Sequence, residues 1–213
     1  MSGRIVVEPS VLARTTPRFL ALQTVARTLS RSYHVDLMDG KFTSTTSIGP
    51  TIVAKRKLSA TTTVHLMVKD PIAWLPAVIA SGCRQALIHA EIGQRAKIGL
   101  ASFRAAGCKI GLALRVTTKL DILDQYRHLN WIHLMTGPIG RYGSAFDKKS
   151  LARIAAVRRR LPHAIISVDV GMNPRTIPLV VAAGANRIIV GSYLWSGDPR
   201  TRWSVLQSLV RSL

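Results

Sequence analysis

Acidic residues are scarce in this chain: 10 Asp and Glu stand against 30 Lys and Arg in 213 residues, a formal net charge of +20. Cysteine is scarcer still. Cys83 and Cys108 are far apart, each behind an Ala/Gly-rich helix end, which excludes a disulfide framework and predicts two small buried side chains. No apolar stretch approaches the ~20 residues of a membrane helix, and no apolar signal core with a cleavage pattern opens the chain. The expectation is a soluble cytoplasmic protein without membrane insertion. Glycine and proline punctuate the sequence evenly rather than gathering in a linker, so one domain over residues 1–213 is expected. The basic runs Lys55-Arg56-Lys57, Lys148-Lys149 and Arg158-Arg159-Arg160 lack the interleaved aromatics of a single-strand-binding platform. Nucleic acid or another anionic partner is therefore a secondary expectation, and the same charge also steers phosphorylated small substrates. The three arginines fall near the end of a predicted helix, where cations suit the dipole.

The few acids that exist are placed tellingly, because Asp36, Asp39, Glu91 and Asp169 all lie at or just beyond predicted strand ends. Short apolar runs bounded by turn residues predict eight strands: Ile5–Ser10, Tyr33–Leu37, Thr61–Met67, Ala86–His89, Ile110–Leu114, Trp131–Met135, Ile165–Asp169 and Arg187–Val190. Helical segments follow each of them. Thr16-Pro17, Pro50, Asp70-Pro71, Thr117-Thr118 and Asp147 supply start signals, and Gly82 and Gly107 supply stops. Strands apolar on both faces alternating with helices indicate an α/β sheet covered by helices, and eight such units predict a closed (β/α)8 TIM barrel. An open doubly wound sheet is the lesser alternative, and the first loop lacks its Gly-x-Gly-x-x-Gly phosphate turn.

In a strand, residues two apart point the same way, so His34 and Asp36 present an imidazole and a carboxylate side by side. In a barrel, chemistry gathers where the C-terminal strand ends meet, which directs His34, Asp36, His65 and Asp169 to one mouth. Two imidazoles and two carboxylates suit one divalent ion, whether zinc, iron, manganese or cobalt. Val170-Gly171 after the seventh strand and Gly191-Ser192 after the eighth expose backbone N–H groups in the two loops that commonly hold phosphate in such barrels.

The segments Val7-Glu8-Pro9-Ser10, His34–Gly40 (HVDLMDG), Ile48-Gly49-Pro50, Val64-His65-Leu66-Met67, Met135-Thr136 and Gly191-Ser192 resemble the ribulose-phosphate 3-epimerases in order and spacing across almost the whole chain. The resemblance implies a barrel of the ribulose-phosphate-binding type and an isomerase interconverting D-ribulose 5-phosphate and D-xylulose 5-phosphate. It implies one divalent metal ion, zinc or iron ahead of manganese or cobalt, on His34, Asp36, His65 and Asp169, with Asp36 and Asp169 also acting as acid and base, and no organic cofactor. It further implies that Ser10, Met38, Met67 and Met135 line the substrate, that Gly171, Gly191 and Ser192 cradle its phosphate, and that the protein forms homo-oligomers. Where the family's closing loop is expected, this chain carries Gly140, Arg141, Tyr142 and Gly143 as a rebuilt lid, and Val170 replaces a glycine beside the phosphate. Those departures keep two further readings in play: an epimerase for another ketose phosphate such as a hexulose 6-phosphate, and an inactive epimerase-like barrel with a binding or structural role.

Overall fold

The computed structural model describes residues 5–140 and 142–213. Eight strands close into a barrel in chain order: β1 (Val6–Val11), β2 (His34–Met38), β3 (Thr63–Met67), β4 (Gln85–His89), β5 (Lys109–Leu114), β6 (Trp131–Met135), β7 (Ile165–Asp169) and β8 (Arg187–Val190). β2, β3 and β6 are buried at every position, as expected where one face fills the barrel and the other lies under helices. The helices are α1 (Thr16–Leu29), α2 (Pro50–Ala54), α3 (Leu75–Ala80), α4 (Gln94–Ala105), α5 (Ser150–Arg160), α6 (Ile177–Ala182), α7 (Ser192–Trp195) and α8 (Pro199–Arg211). Among the described residues, no helix is long and apolar enough to cross a membrane.

The chain gathers into two compact units, one running from Ser10 to Leu112 and the other joining the chain up to Pro9 to Ala113–Leu213. In the first unit, Thr15 caps α1 by accepting from the Arg18 N–H, Pro17 occupies the first turn, and Phe19, Leu22, Gln23 and Ala26 are buried at the 3–4-residue spacing of one helical face. Burying Phe19 and Leu22 contributes about 1.5–3 kcal/mol each. Register aligns Ser10 with His34 and Asp36 with His65, so residues that share the barrel interior stand at the same height on adjacent strands. The turn after β2 is built by Asp39. Its carboxylate accepts from the Lys41, Phe42 and Lys69 N–H groups at 2.8, 2.9 and 2.7 Å, and Gly40 turns at φ 73°. Burial pushes the Asp39 pKa up, but those N–H groups outweigh it and leave the carboxyl below its ordinary value. Cys83 and Cys108 are both buried and unbridged. Burial raises the Cys83 thiol to about 11, which keeps it an unreactive packing group.

In the second unit, β6 and β7 align His133 with Ser167 and Met135 with Asp169. Asp198 caps α8 by accepting from the Thr201 N–H at 2.7 Å, with Pro199 at the first position. Arg158, expected at a helix end, donates to the carbonyls of Gly184, Pro162 and Ala164 at 2.8–3.0 Å. Arg160 pairs with Asp124. These are structural roles, as the position of the run near a helix end suggests.

Two local differences from the sequence reading stand out. The helical segment expected after β5 is a 3-10 helix, Leu120–Tyr126, which begins at Leu120 rather than on a Thr117-Thr118 cap and is a tighter coil that climbs faster per residue. Asp147 forms a turn just before α5 rather than its cap, since α5 begins at Ser150 with Lys149 at the N-cap.

Candidate active site and metal centre

In the first unit the site is built on neighbouring strands around one buried carboxylate. Asp36 Oδ2 accepts from the Ser10 hydroxyl at 2.7 Å, while Oδ1 lies 3.0 Å from His65 Nδ1 and 3.4 Å from His34 Nε2. Ser10, His34, Asp36 and His65 are at most 5% exposed. Burial acts on Asp36 to raise its pKa, but the adjacent His34 and His65 outweigh it and hold the carboxyl well below the usual range. His65 moves the other way from an ordinary imidazole: burial brings it down to about 4, so it is neutral near neutral pH.

The chain of contacts continues outward. His65 Nε2 lies 2.9 Å from His89 Nε2, the two rings stack at 5.0 Å, and His89 Nδ1 lies 2.8 Å from Glu91 Oε2. The Phe42 ring packs 4.7 Å from His89. Glu91 was anticipated at a strand end, but His89 was not singled out. Met38 and Met67 are buried at 2% and 3% exposure at the ends of their strands, and the Thr45 hydroxyl donates to the Met38 sulfur at 3.3 Å.

In the second unit, Asp169 ends β7 and its Oδ1 accepts from the Val170 N–H at 2.7 Å. Thr136 donates its hydroxyl to the Asp169 and Val170 carbonyls, both at 2.6 Å. Met135 is 2% exposed. A cavity of about 630 Å³ is lined by Gly143, Gly171, Asn173, Arg175, Ser192 and Tyr193, among others. Gly171 turns at φ 72°, and a Cβ there would meet Phe146 Cβ and N at 2.7 Å, so only glycine fits. Gly191 sits at the N-cap of α7 immediately before Ser192.

Val170 is absent among the described residues lining this cavity. Its Cγ1 instead lies 2.6 Å from where a Cβ on Gly137 would stand. Of the expected lid, Gly143 reaches the cavity and Gly140 turns at φ 97°, while Arg141 lies outside the described residues. Tyr142 is half-buried.

The ligand atoms of His34, His65, His133 and Asp169 lie within 4.8 Å of one another and could hold a divalent metal ion. Asp36 touches two of that group. Three imidazoles and a carboxylate are the donor types such an ion takes, and bonds of about 2.0–2.2 Å to a tetrahedral ion put ligand atoms about 3.3–3.6 Å apart, inside the 4.8 Å within which the four grouped ligand atoms lie. His133 was missed in the sequence. The signal was there, since Trp131, His133 and Met135 alternate on one strand face and Met135 was already assigned to the site.

The chain is 30% identical to ribulose-phosphate 3-epimerase of Bacillus subtilis (strain 168) over 93% of its length and 95% of the relative's. It is 30% identical to the protein of the same name from Mycobacterium tuberculosis (strain ATCC 25618 / H37Rv) over 92% and 89%. The crystal structure of 3-hexulose-6-phosphate synthase from Salmonella typhimurium superposes with a TM-score of 0.69 at 13% identity, covering 98% of this chain and 99% of that one, a likeness of fold. The family profile itself matches residues 6–195, from the first strand to the helix after the eighth. The chain belongs to the ribulose-phosphate 3-epimerase family.

Proposed function

We propose that this protein interconverts D-ribulose 5-phosphate and D-xylulose 5-phosphate by moving a proton on and off C3. The observation that carries the reading is Asp36: a buried carboxylate fixed by Ser10 and flanked by His34 and His65, in a member of this family. Inverting a carbon beside a ketone needs a base on one face and an acid on the other. Asp36 takes the C3 proton in one direction, and Asp169 returns a proton to the opposite face; the reverse reaction exchanges their roles.

Asp36 is ionised at neutral pH, which is the state a base requires, but a carboxylate held this far down is a weak base. The C3 proton must therefore be made acidic by stabilising the charge that develops on the neighbouring oxygen. A divalent ion held by His34, His65 and Asp169 together with Asp36 supplies that positive charge when bound. His65, neutral near pH 7, is in the protonation state of a ligand. Met38, Met67 and Met135 wall off water from the deprotonated sugar. Gly171 and Ser192 offer the phosphate a small-residue cradle, and Arg175 on the same cavity adds a cation.

The test is exchange of the C3 proton of ribulose 5-phosphate with deuterated solvent, together with xylulose 5-phosphate formation, using metal-loaded protein. Asp36→Asn and Asp169→Asn should each lower turnover at least ~100-fold, in keeping with the loss of an acid–base group. Absence of both exchange and product from folded, metal-bearing wild type would overturn the assignment. A panel of other ketose phosphates then identifies any different sugar.

A further inference from the structure

A polar column runs through the second unit where branched apolar side chains normally fill a barrel of this kind. Glu8 on β1 is fully buried, and its Oε1 lies 3.8 Å from Arg187 Nε on β8. The Arg187 guanidinium lies over the Trp131 ring, with Cζ 4.6 Å from its centroid. The Trp131 indole N–H donates to Ser167 Oγ at 2.9 Å, and Ser167 Oγ lies 2.8 Å from His133 Nδ1. Trp131, Ser167 and His133 are all 0% exposed. The column ends at one of the four residues grouped for a divalent ion.

Since Nδ1 of His133 is engaged by Ser167, Nε2 is the nitrogen this ring has to offer the group. A neutral imidazole binding through Nε2 must carry its proton on Nδ1. Ser167 Oγ has two acceptor sites, one taken by the indole N–H, which can only donate, and the other open to an imidazole Nδ1–H. We infer that His133 is a metal ligand of this protein through Nε2, a third imidazole in the site, and that Ser167 and Trp131 are positioning residues that set its tautomer and ring orientation. The inference rests on the metal-dependent part of the proposed function but not on which sugar is turned over. A nitrogen-rich donor set favours zinc, cobalt or iron over manganese. Arg187, held by Glu8, keeps the Trp131 ring in the orientation that aims its N–H at Ser167.

Cobalt(II) titration of the purified full-length protein tests this, because the visible d–d bands report the number and kind of donor atoms. Wild type should bind Co2+ with a defined spectrum and prefer Zn2+ to Mn2+ in competition. His133→Leu and His133→Gln should shift the bands and narrow the Zn2+ preference over Mn2+. Two variants are used so that a folding failure in one, checked by circular dichroism, leaves the other. Ser167→Ala should keep the band positions but weaken Zn2+ about 10–100-fold, the usual cost of losing a group that orients a ligand, and Ser167→Thr should restore it. If a folded His133 variant binds Co2+ with the wild-type spectrum and affinity, His133 is not a ligand and the inference is overturned, while the epimerase reading stands. If wild type binds no Co2+ or Zn2+, the inference and the metal part of the proposed function both fail.

Discussion

Val170 has the one positive φ among the described non-glycine residues, 88°, and is β-branched, the residue type least suited to that region. Its backbone is held there by the Asp169 carboxylate on its N–H and by the Thr136 hydroxyl on its carbonyl, so the strain is imposed by its surroundings. Comparing Val170→Ala with Val170→Gly isolates the backbone. Both remove the same two γ-methyls, leaving only the Cβ and the freedom of the unfolded chain to distinguish them. A Cβ in the left-handed region costs about 1–2 kcal/mol. Glycine's greater unfolded-state freedom costs about 0.5–1 kcal/mol in return. Val170→Gly should thus be the more stable variant by about 0.5–1 kcal/mol, reversing the order these residues show at ordinary sites. Urea unfolding at 25 °C with a chelator present, so that metal binding adds nothing to the folded state, reads this directly. If Val170→Ala equals or exceeds Val170→Gly, the claim that strain resides at this residue is wrong.

Three other perturbations test groups elsewhere in the structure. His65 is depressed from its ordinary 6.5 to about 4, so the folded state binds fewer protons than the unfolded chain in between. Metal-free protein should lose about 3 kcal/mol of stability as pH falls through that window, and a urea midpoint unchanged between pH 7 and pH 4.5 would contradict it. Arg187→Leu leaves Glu8 buried without its cation and should cost about 3–5 kcal/mol, much of it recovered by adding Glu8→Leu; thermal unfolding of the single and double variants measures the recovery. Asp39→Ala removes the acceptor for three backbone N–H groups and should cost about 1–3 kcal/mol in chemical unfolding. Turnover should suffer with it, since the turn follows directly on the strand that bears Asp36.

The barrel was legible because covered parallel strands are written as short apolar runs between turn residues. Trp131–Met135, Ile165–Asp169 and Arg187–Val190 have the same bounds in sequence and structure. The candidate site was legible where a motif names it, as in HVDLMDG, and less so where one residue joins it from an otherwise ordinary strand. His133 and His89 read as members of apolar strands, and only the register of neighbouring strands brings them to Ser167 and to His65. Glu8 sat inside a recognised segment without a role, because its cation, Arg187, is distant in sequence and arrives through the pairing of β1 with β8. The 3-10 geometry of Leu120–Tyr126 was beyond reach of periodicity, which separates two kinds of helix poorly over seven residues.

The bonding of Arg158 bears on how the protein behaves in solution. A guanidinium has five donors in a rigid fork, and here they reach the carbonyls of Pro162 and Ala164 after α5 and of Gly184 after α6, work that the three donors of a lysine ammonium cannot copy. Arg160 and Arg127 are likewise drawn to a single aspartate. A hydrogen bond to a neutral carbonyl leaves the Arg158 charge in place, and Asp124 is already counted in the formal +20, so these contacts fix where part of the positive charge sits without reducing it. Ionic strength should accordingly weaken encounters with anionic molecules as steeply as the net charge suggests.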